Sequence, residues 1–375
     1  MFENLIRLTD SFMEMGVPGY DIAVWQDGQC VLRHRNGYAD RDNKIPFDGT
    51  EICQIYSCSK LMTCIAALQL WEKGLFRLED KLSDYMPEFA EMTVQTENGI
   101  VPAKNPIRIH HLFEMTAGFS YNLCTKAVER CRQDTDGRCP AREFMRYLAQ
   151  EPLSFEPGDR YLYSLCHDVL LVLVEVISGQ PFDDYAKANI YAPAGMVNTT
   201  FLPTQEQLDN CACKYRYNSQ TGEMPLDTGN TYRIGTEYAS GGAGALSTVD
   251  DYINLLEALR TGKLLKPETV RLMATDRLTE HQKRTYPVAK TRGYGLGVRT
   301  PIDTDPHTEF GWGGAAGAFW AVDPVRRLSV FYLQNVLASP NNDLRKNIYS
   351  VIFDELTGTQ TCVQSRDEEQ KKLTY

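Results

Sequence analysis

The chain has 375 residues, 43% of them hydrophobic and 23% charged, enough to bury a large core without disulfides or a structural metal. Its 39 Lys and Arg against 49 Asp and Glu give a formal charge of −10, the wrong sign for a nucleic-acid or anionic-membrane partner, either of which needs a basic face. The longest apolar run, 169–174, stops at Glu175, too short to cross a bilayer.

The opening sixteen residues carry Glu3, Arg7, Asp10 and Glu14 with no unbroken apolar stretch, so they are not read as a signal peptide. Eleven cysteines, an odd count, are then read as reduced thiols of a cytoplasmic protein. Leu5, Leu8 and Phe12 share one helical face, predicting a short amphipathic helix over 5–13. Strand-like runs at 21–25 and 30–35 flank Asp27-Gly28, a strong hairpin signal. From 57 to 71 the pattern is helical and almost wholly apolar after Lys60, as in a buried helix, and Gly74 stands where a C-terminal glycine cap would. Residues 75–284 are mostly helical periodicity and turns, with helices predicted at 168–177 and 248–259. Strands return at 293–299, 318–323 and 328–334, and a closing helix fits 342–356. Residues 365–375 are polar and are expected to fray. Strands at both ends with helices between predict an α+β chain interrupted by a helical insertion.

Chemistry enters at Ser57-Cys58-Ser59-Lys60. Positions i and i+3 lie one helical turn apart on the same face, which puts the Lys60 amine within reach of the Ser57 hydroxyl. A serine becomes a nucleophile only when a neighbouring base takes its proton. A lysine can serve when desolvation or nearby positive charge favours its neutral form. The helix N-terminus adds free N–H groups that stabilise developing negative charge. Alone, Ser-x-x-Lys also describes an ordinary capping serine and a helix lysine. Two later features change the balance: Tyr161-Leu162-Tyr163-Ser164-Leu165, leading into the helix with Asp168, and Phe310-Gly311-Trp312-Gly313-Gly314-Ala315-Ala316-Gly317, leading into a strand.

In that order the motifs resemble the serine β-lactamase and penicillin-binding-protein superfamily. The likeness is strongest to its class C β-lactamase-like branch and, through Tyr-Ser-Leu with Trp-Gly-Gly, to the family VIII carboxylesterases. Gly16-Val17-Pro18-Gly19, the stretch from Ile109 to Phe119, 192–196, Gly241–Gly244 and 294–297 extend the likeness over nearly the whole chain. The resemblance implies a β-lactamase/transpeptidase-like fold. An antiparallel sheet flanked by helices would come from 1–75 and 286–375, and a mainly helical domain would be inserted at 76–285. It implies Ser57 as the acylated nucleophile, Lys60 as its base partner and Tyr163 as the second-motif hydroxyl that relays protons to the leaving group. The backbone N–H groups of Ser57 and Ala315 would form the oxyanion hole, with no metal and no organic cofactor.

Two departures bear on substrate. Leu165 replaces the lactamase asparagine and offers no hydrogen bond. Trp312 replaces the polar residue opening the third motif and offers a wide apolar surface with one N–H. Leu165, Trp312, Gly313 and Gly314 are thus expected to line the substrate site of an enzyme that prefers a small neutral carboxylic ester. A β-lactamase or D-amino-acid peptidase or amidase, an acyltransferase, and a non-catalytic binding relic of the fold are the alternatives. His167, four residues after Tyr163, and Cys58, inside the first motif, are candidate supporting residues; a packed role is the simpler reading of each. No Gly-x-Ser-x-Gly elbow is present. His110-His111 with Glu114 lacks the metalloprotease spacing, Cys131, Cys139, Cys211 and Cys213 lack paired zinc spacing, and Gly241–Gly244 lacks the lysine step of a phosphate loop.

Overall fold

The computed structural model describes residues 2–303 and 306–359. Eight strands form an antiparallel sheet in the order Ile45–Pro46, Gln29–Asp40, Gly19–Gln26, Leu328–Gln334, Phe319–Asp323, Phe310–Gly313, Arg299–Thr300 and Gly293–Tyr294. The two chain ends are therefore stitched together at the middle of the sheet, where Ala23 stands opposite Phe331. Asp27 and Gly28 both take positive φ, 55° and 77°, as a two-residue hairpin turn requires.

Side chains alternate across the sheet because successive Cβ atoms point to opposite faces. Tyr20, Ile22, Val24, Val330 and Tyr332 pack in one core with Leu5, Phe12, Ile348 and Ile352 from the terminal helices Glu3–Glu14 and Ile348–Thr357. Ala23, Phe331, Trp320 and Phe310 face the other way into a larger core. That core also holds the nearly all-buried helix Ser59–Glu72 and the helix Cys166–Ser178, which pack against each other. The helix Val249–Arg260 falls inside the stretch expected as an insertion, yet it lies on strands Gly19–Gln26 and Leu328–Gln334. Thr248 caps it by accepting the Asp251 N–H at 3.1 Å.

Three expected elements differ in detail. The run 293–299 is not one strand: Gly293–Tyr294 and Arg299–Thr300 pair with each other, because the chain reverses where Gly297 packs on the His167 ring and the Cys64 sulfur. The closing helix is two, Asn342–Arg345 and Ile348–Thr357. The helix expected from Ser57 begins as a single 3₁₀ turn, Tyr56–Cys58, before Ser59–Glu72. Residues 365–375, expected to fray, lie outside the described residues. No helix among the described residues is long and apolar enough to cross a membrane.

Candidate active site

Ser57 is presented by a strained turn. Tyr56 has φ 47°, a left-handed conformation that costs a bulky residue of order 1–3 kcal/mol. Burial of its ring among Ala243, Ala316 and Leu337 holds it there. Ser59 Oγ donates to Tyr56 O at 2.5 Å and accepts from Ala245 N at 3.0 Å, clamping the turn from beneath. The three-residue step from Ser57 in the 3₁₀ turn into the helix puts Lys60 on the same side as Ser57.

Lys60 is 1% exposed, and a buried amine is tolerated only with its donors satisfied. Its Nζ donates to Gly242 O at 2.6 Å, Ser57 Oγ at 3.4 Å and Tyr121 OH at 3.4 Å. One carbonyl and two hydroxyls thus surround the amine, and a hydroxyl can donate as well as accept. The Tyr163 ring lies 4.5 Å from Nζ, and its hydroxyl donates to Ser57 Oγ at 2.7 Å. Trp312 stacks on Tyr163 with centroids 5.6 Å apart, and its indole N–H donates to the Tyr163 oxygen at 3.3 Å. The one donor of Trp312 is thus spent on the phenol. Tyr121 stacks on the other flank of Tyr163 at 5.5 Å, and burial pushes its own phenol well up.

The opposite side of Ser57 is bare backbone. The turn after strand Phe310–Gly313 is tied by Gly314 N to Ala318 O, Gly317 N to Gly314 O and Val336 N to Ala316 O, leaving the Ala315 N–H outside these bonds. Gly314 packs so tightly on the preceding turn that a Cβ there would lie 2.5 Å from Ile55 O. A side chain there would push the two turns apart, so this position needs glycine.

Ser57, Tyr163, Trp312, Gly313, Gly314 and Ala315 line one cleft of about 690 Å³. Leu165, expected there, is a correction. It is 3% exposed and faces a separate 150 Å³ hollow with Phe119, Phe144 and Leu148, because two residues past Tyr163 the chain is already turning into the helix Cys166–Ser178. His167 makes no hydrogen bond to Tyr163. It is fully buried, with Nε2 3.5 Å from Phe113 O and 3.8 Å from Cys64 Sγ, and burial holds it neutral, well below the usual imidazole range. The Cys58 thiol is buried and pushed up by that burial, the setting of an inert packed cysteine.

Four participants escaped the sequence reading. Tyr121 and the Gly242 carbonyl hold Lys60, the latter from 182 residues away. Tyr232 edges against both Tyr121 and Tyr56 at the cleft. At the far end of the cleft Glu309, 1% exposed, pairs with Arg292 at 3.0 Å and Arg299 at 3.7 Å, so the cleft is not apolar throughout. The Gly241–Gly244 run was visible, but its partners lie far off in the chain and no local spacing announces them. The remaining motifs have local partners. His110 Nδ1 meets Glu114 at 2.9 Å, and Arg277 donates to the same carboxylate at 2.6 Å. His111 Nδ1 accepts from Arg108 N at 3.1 Å. The ten cysteines among the described residues are free thiols.

A family model described as Beta-lactamase matches residues 5–352. Protein Rv1367c of Mycobacterium tuberculosis is 30% identical over 337 residues, 83% of this chain and 84% of that protein. Esterase EstB of Burkholderia gladioli is 29% identical over 344 residues, again 83% and 84% of the two chains. Among solved structures, EstCE1, described as a hydrolase with promiscuous acyltransferase activity, superposes with a TM-score of 0.78 at 28% identity, covering 94% of this chain and 98% of its own.

Proposed function

The chain belongs to the β-lactamase family, and we propose that within it this protein is a serine carboxylesterase that works through an acyl-enzyme on small carboxylic esters. The single observation carrying this reading is the 2.7 Å bond between Tyr163 OH and Ser57 Oγ, beside a buried lysine 3.4 Å from the same oxygen. Ser57 Oγ attacks the ester carbonyl as its proton passes into the Lys60–Tyr163 pair, which accepts it with one member deprotonated, as neutral amine or phenolate. The carbonyl oxygen becomes an oxyanion held by the Ser57 and Ala315 N–H groups. Tyr163 with Lys60 then protonates the departing alcohol, and water activated by the same pair releases the acid. Every step uses groups of this chain.

The preference for an ester over a lactam or amide rests on Trp312. Its N–H points at Tyr163 and is not available to a substrate carboxylate, as a lysine in that position would be. An ester also has the better leaving group. Similarity to Esterase EstB supports the same choice. Steady-state rates on p-nitrophenyl butyrate and on nitrocefin test it: the ester is expected to turn over faster, and faster nitrocefin turnover overturns the ordering.

Acyl transfer is a second reading, favoured by the description of EstCE1. An alcohol replacing water would use the same acyl-enzyme, so product analysis with an added alcohol separates the two. New ester would assign transfer, and free acid alone would exclude it.

A further inference from the structure

Asp168 stands in the first turn of the helix Cys166–Ser178, where an acidic residue is ordinarily read as a partner for the helix dipole. Its side chain does something else. It is 1% exposed, and Oδ1 accepts from Ser240 Oγ at 2.7 Å and Tyr238 OH at 3.0 Å. Those two residues begin the segment that ends at Gly242. Gly241 lies hard on the helix backbone, a Cβ there meeting His167 O at 2.2 Å, and its carbonyl accepts from Thr63 Oγ1 at 2.9 Å. The next carbonyl, of Gly242, seats Lys60 Nζ. A Cβ on Gly242 would lie 2.7 Å from Asp168 Oδ2, 2.8 Å from Tyr121 OH and 3.1 Å from Lys60 Nζ. A carboxylate oxygen, a phenol and an ammonium therefore converge on one point, with Asp168 Oδ2 bound by no hydrogen bond of normal geometry.

We propose that Asp168 is a positioning residue for Lys60: it ties down the Tyr238–Gly242 segment that seats the amine, and its buried charge sets the protonation balance of the Lys60–Tyr163 pair. This rests on the reading of Ser57, Lys60 and Tyr163 given above. The groups facing the pair can be enumerated element by element. Tyr121 and Tyr232 face it from their loops, Tyr161 from the segment leading to Tyr163, Tyr294 from strand Gly293–Tyr294, Cys166 and His167 from the helix of Asp168 itself, Cys58 from the 3₁₀ turn and Cys64 from the helix of Lys60, with Tyr238 behind them on Asp168. Burial pushes the phenols of Tyr161, Tyr232 and Tyr294 upward. Burial holds His167 neutral and pushes the phenols of Tyr121 and Tyr238 and the thiols of Cys58 and Cys64 upward. Cys166 is pushed up by burial to about 11. Asp168 is the carboxylate of this set. Burial pushes it up, while the Ser240 bond and the Lys60 charge draw it down. An opposite charge at this range moves a titration by about 1–3 pH units.

Two variants separate the two halves of the role. Asp168→Asn keeps the shape and can still accept from Ser240 and Tyr238, but it carries no charge. The whole bell of kcat/KM against pH on p-nitrophenyl butyrate is expected to move about 1–3 units to lower pH, with its plateau within about tenfold of wild type. The double variant Tyr238→Phe, Ser240→Ala keeps the charge and removes the tether. Its kcat is expected to fall about 10–100-fold with KM little changed and the bell in place. An unmoved bell in Asp168→Asn overturns the charge role, and wild-type kcat in the double variant overturns the tether. If Asp168→Asn does not fold, Asp168→Glu carries the charge test. With the carboxylate displaced by one methylene the bell is expected to shift measurably, and an unmoved bell overturns the role. Mass labelling of wild type by a fluorophosphonate is run alongside: no adduct on Ser57 would sink the hydrolase reading itself, whatever the Asp168 variants do.

Discussion

On one side of Ser57 Oγ stand side chains: Lys60, Tyr163, Tyr121 and, through Tyr163, Trp312. On the other side is backbone, with Gly314 pressed against Ile55 and the Ala315 N–H next to it. The first side is tuned by what each group can donate or accept and by burial. The second is tuned by how closely two turns approach, which a single methyl group would spoil. Side-chain chemistry tolerates graded change, whereas the backbone side tolerates only glycine at its contact.

Breaking the side-chain half is expected to have the largest effect. Tyr163→Phe removes the 2.7 Å bond to Ser57 and leaves the ring stack in place, so kcat on p-nitrophenyl butyrate should fall about 10²–10⁴-fold, the usual worth of a proton-transferring group. Retained activity would move the proton relay to Tyr121. Breaking the backbone half comes next. Gly314→Ala drives a Cβ into Ile55 O, and the loss should match that of one oxyanion donor, about 10²–10³-fold in kcat, with KM nearly unchanged. Gly242→Ala probes the join between tether and amine. Its Cβ would displace Lys60 Nζ, Tyr121 OH or Asp168, and about a 10²-fold loss is expected for a displacement of that size. Activity above a tenth of wild type would mean that the seat of Lys60 is looser than it looks.

The smallest effect lies outside both halves and should touch stability alone. Burial lowers His111 to about 3 from the usual 6.5, so between those values the unfolded chain binds the extra proton and stability is lost as pH falls. Moving from pH 7 to pH 5 should cost wild type about 2 kcal/mol more than His111→Gln through this group, read from urea midpoints at the two values. Asp21 works the other way. Burial raises it to about 6, so its contribution grows as pH falls. It is common to both proteins and cancels in the comparison. Equal losses in both would show that His111 is not what makes the fold acid-sensitive.

The two halves also differ in how far they can be read from the sequence. Ser57 and Lys60 announce themselves at one helical turn, and Tyr163 and Trp312 by their order along the chain. Strand alternation and Asp27-Gly28 were enough for the hairpin that joins the sheet, and the apolar run after Lys60 for the buried helix. What escaped was set by distant packing. Tyr121 and Asp168 look like a loop aromatic and a helix-start acid until the segment from Tyr238 to Gly242 folds over Lys60. Leu165 was misassigned for the reverse reason: being two residues from Tyr163 says nothing of direction once the chain enters a helix. Gly314 was legible as part of a motif, but the carbonyl that forbids its side chain belongs to Ile55.

The central claim is that the Ser57 hydroxyl is an activated nucleophile. Intact-mass measurement after exposure to a fluorophosphonate tests it most directly. One adduct, mapped to Ser57, absent from Ser57→Ala and formed much more slowly in Tyr163→Phe, is the predicted result. An adduct that persists in Ser57→Ala, or no adduct with this or any acyl probe on the folded protein, would contradict it.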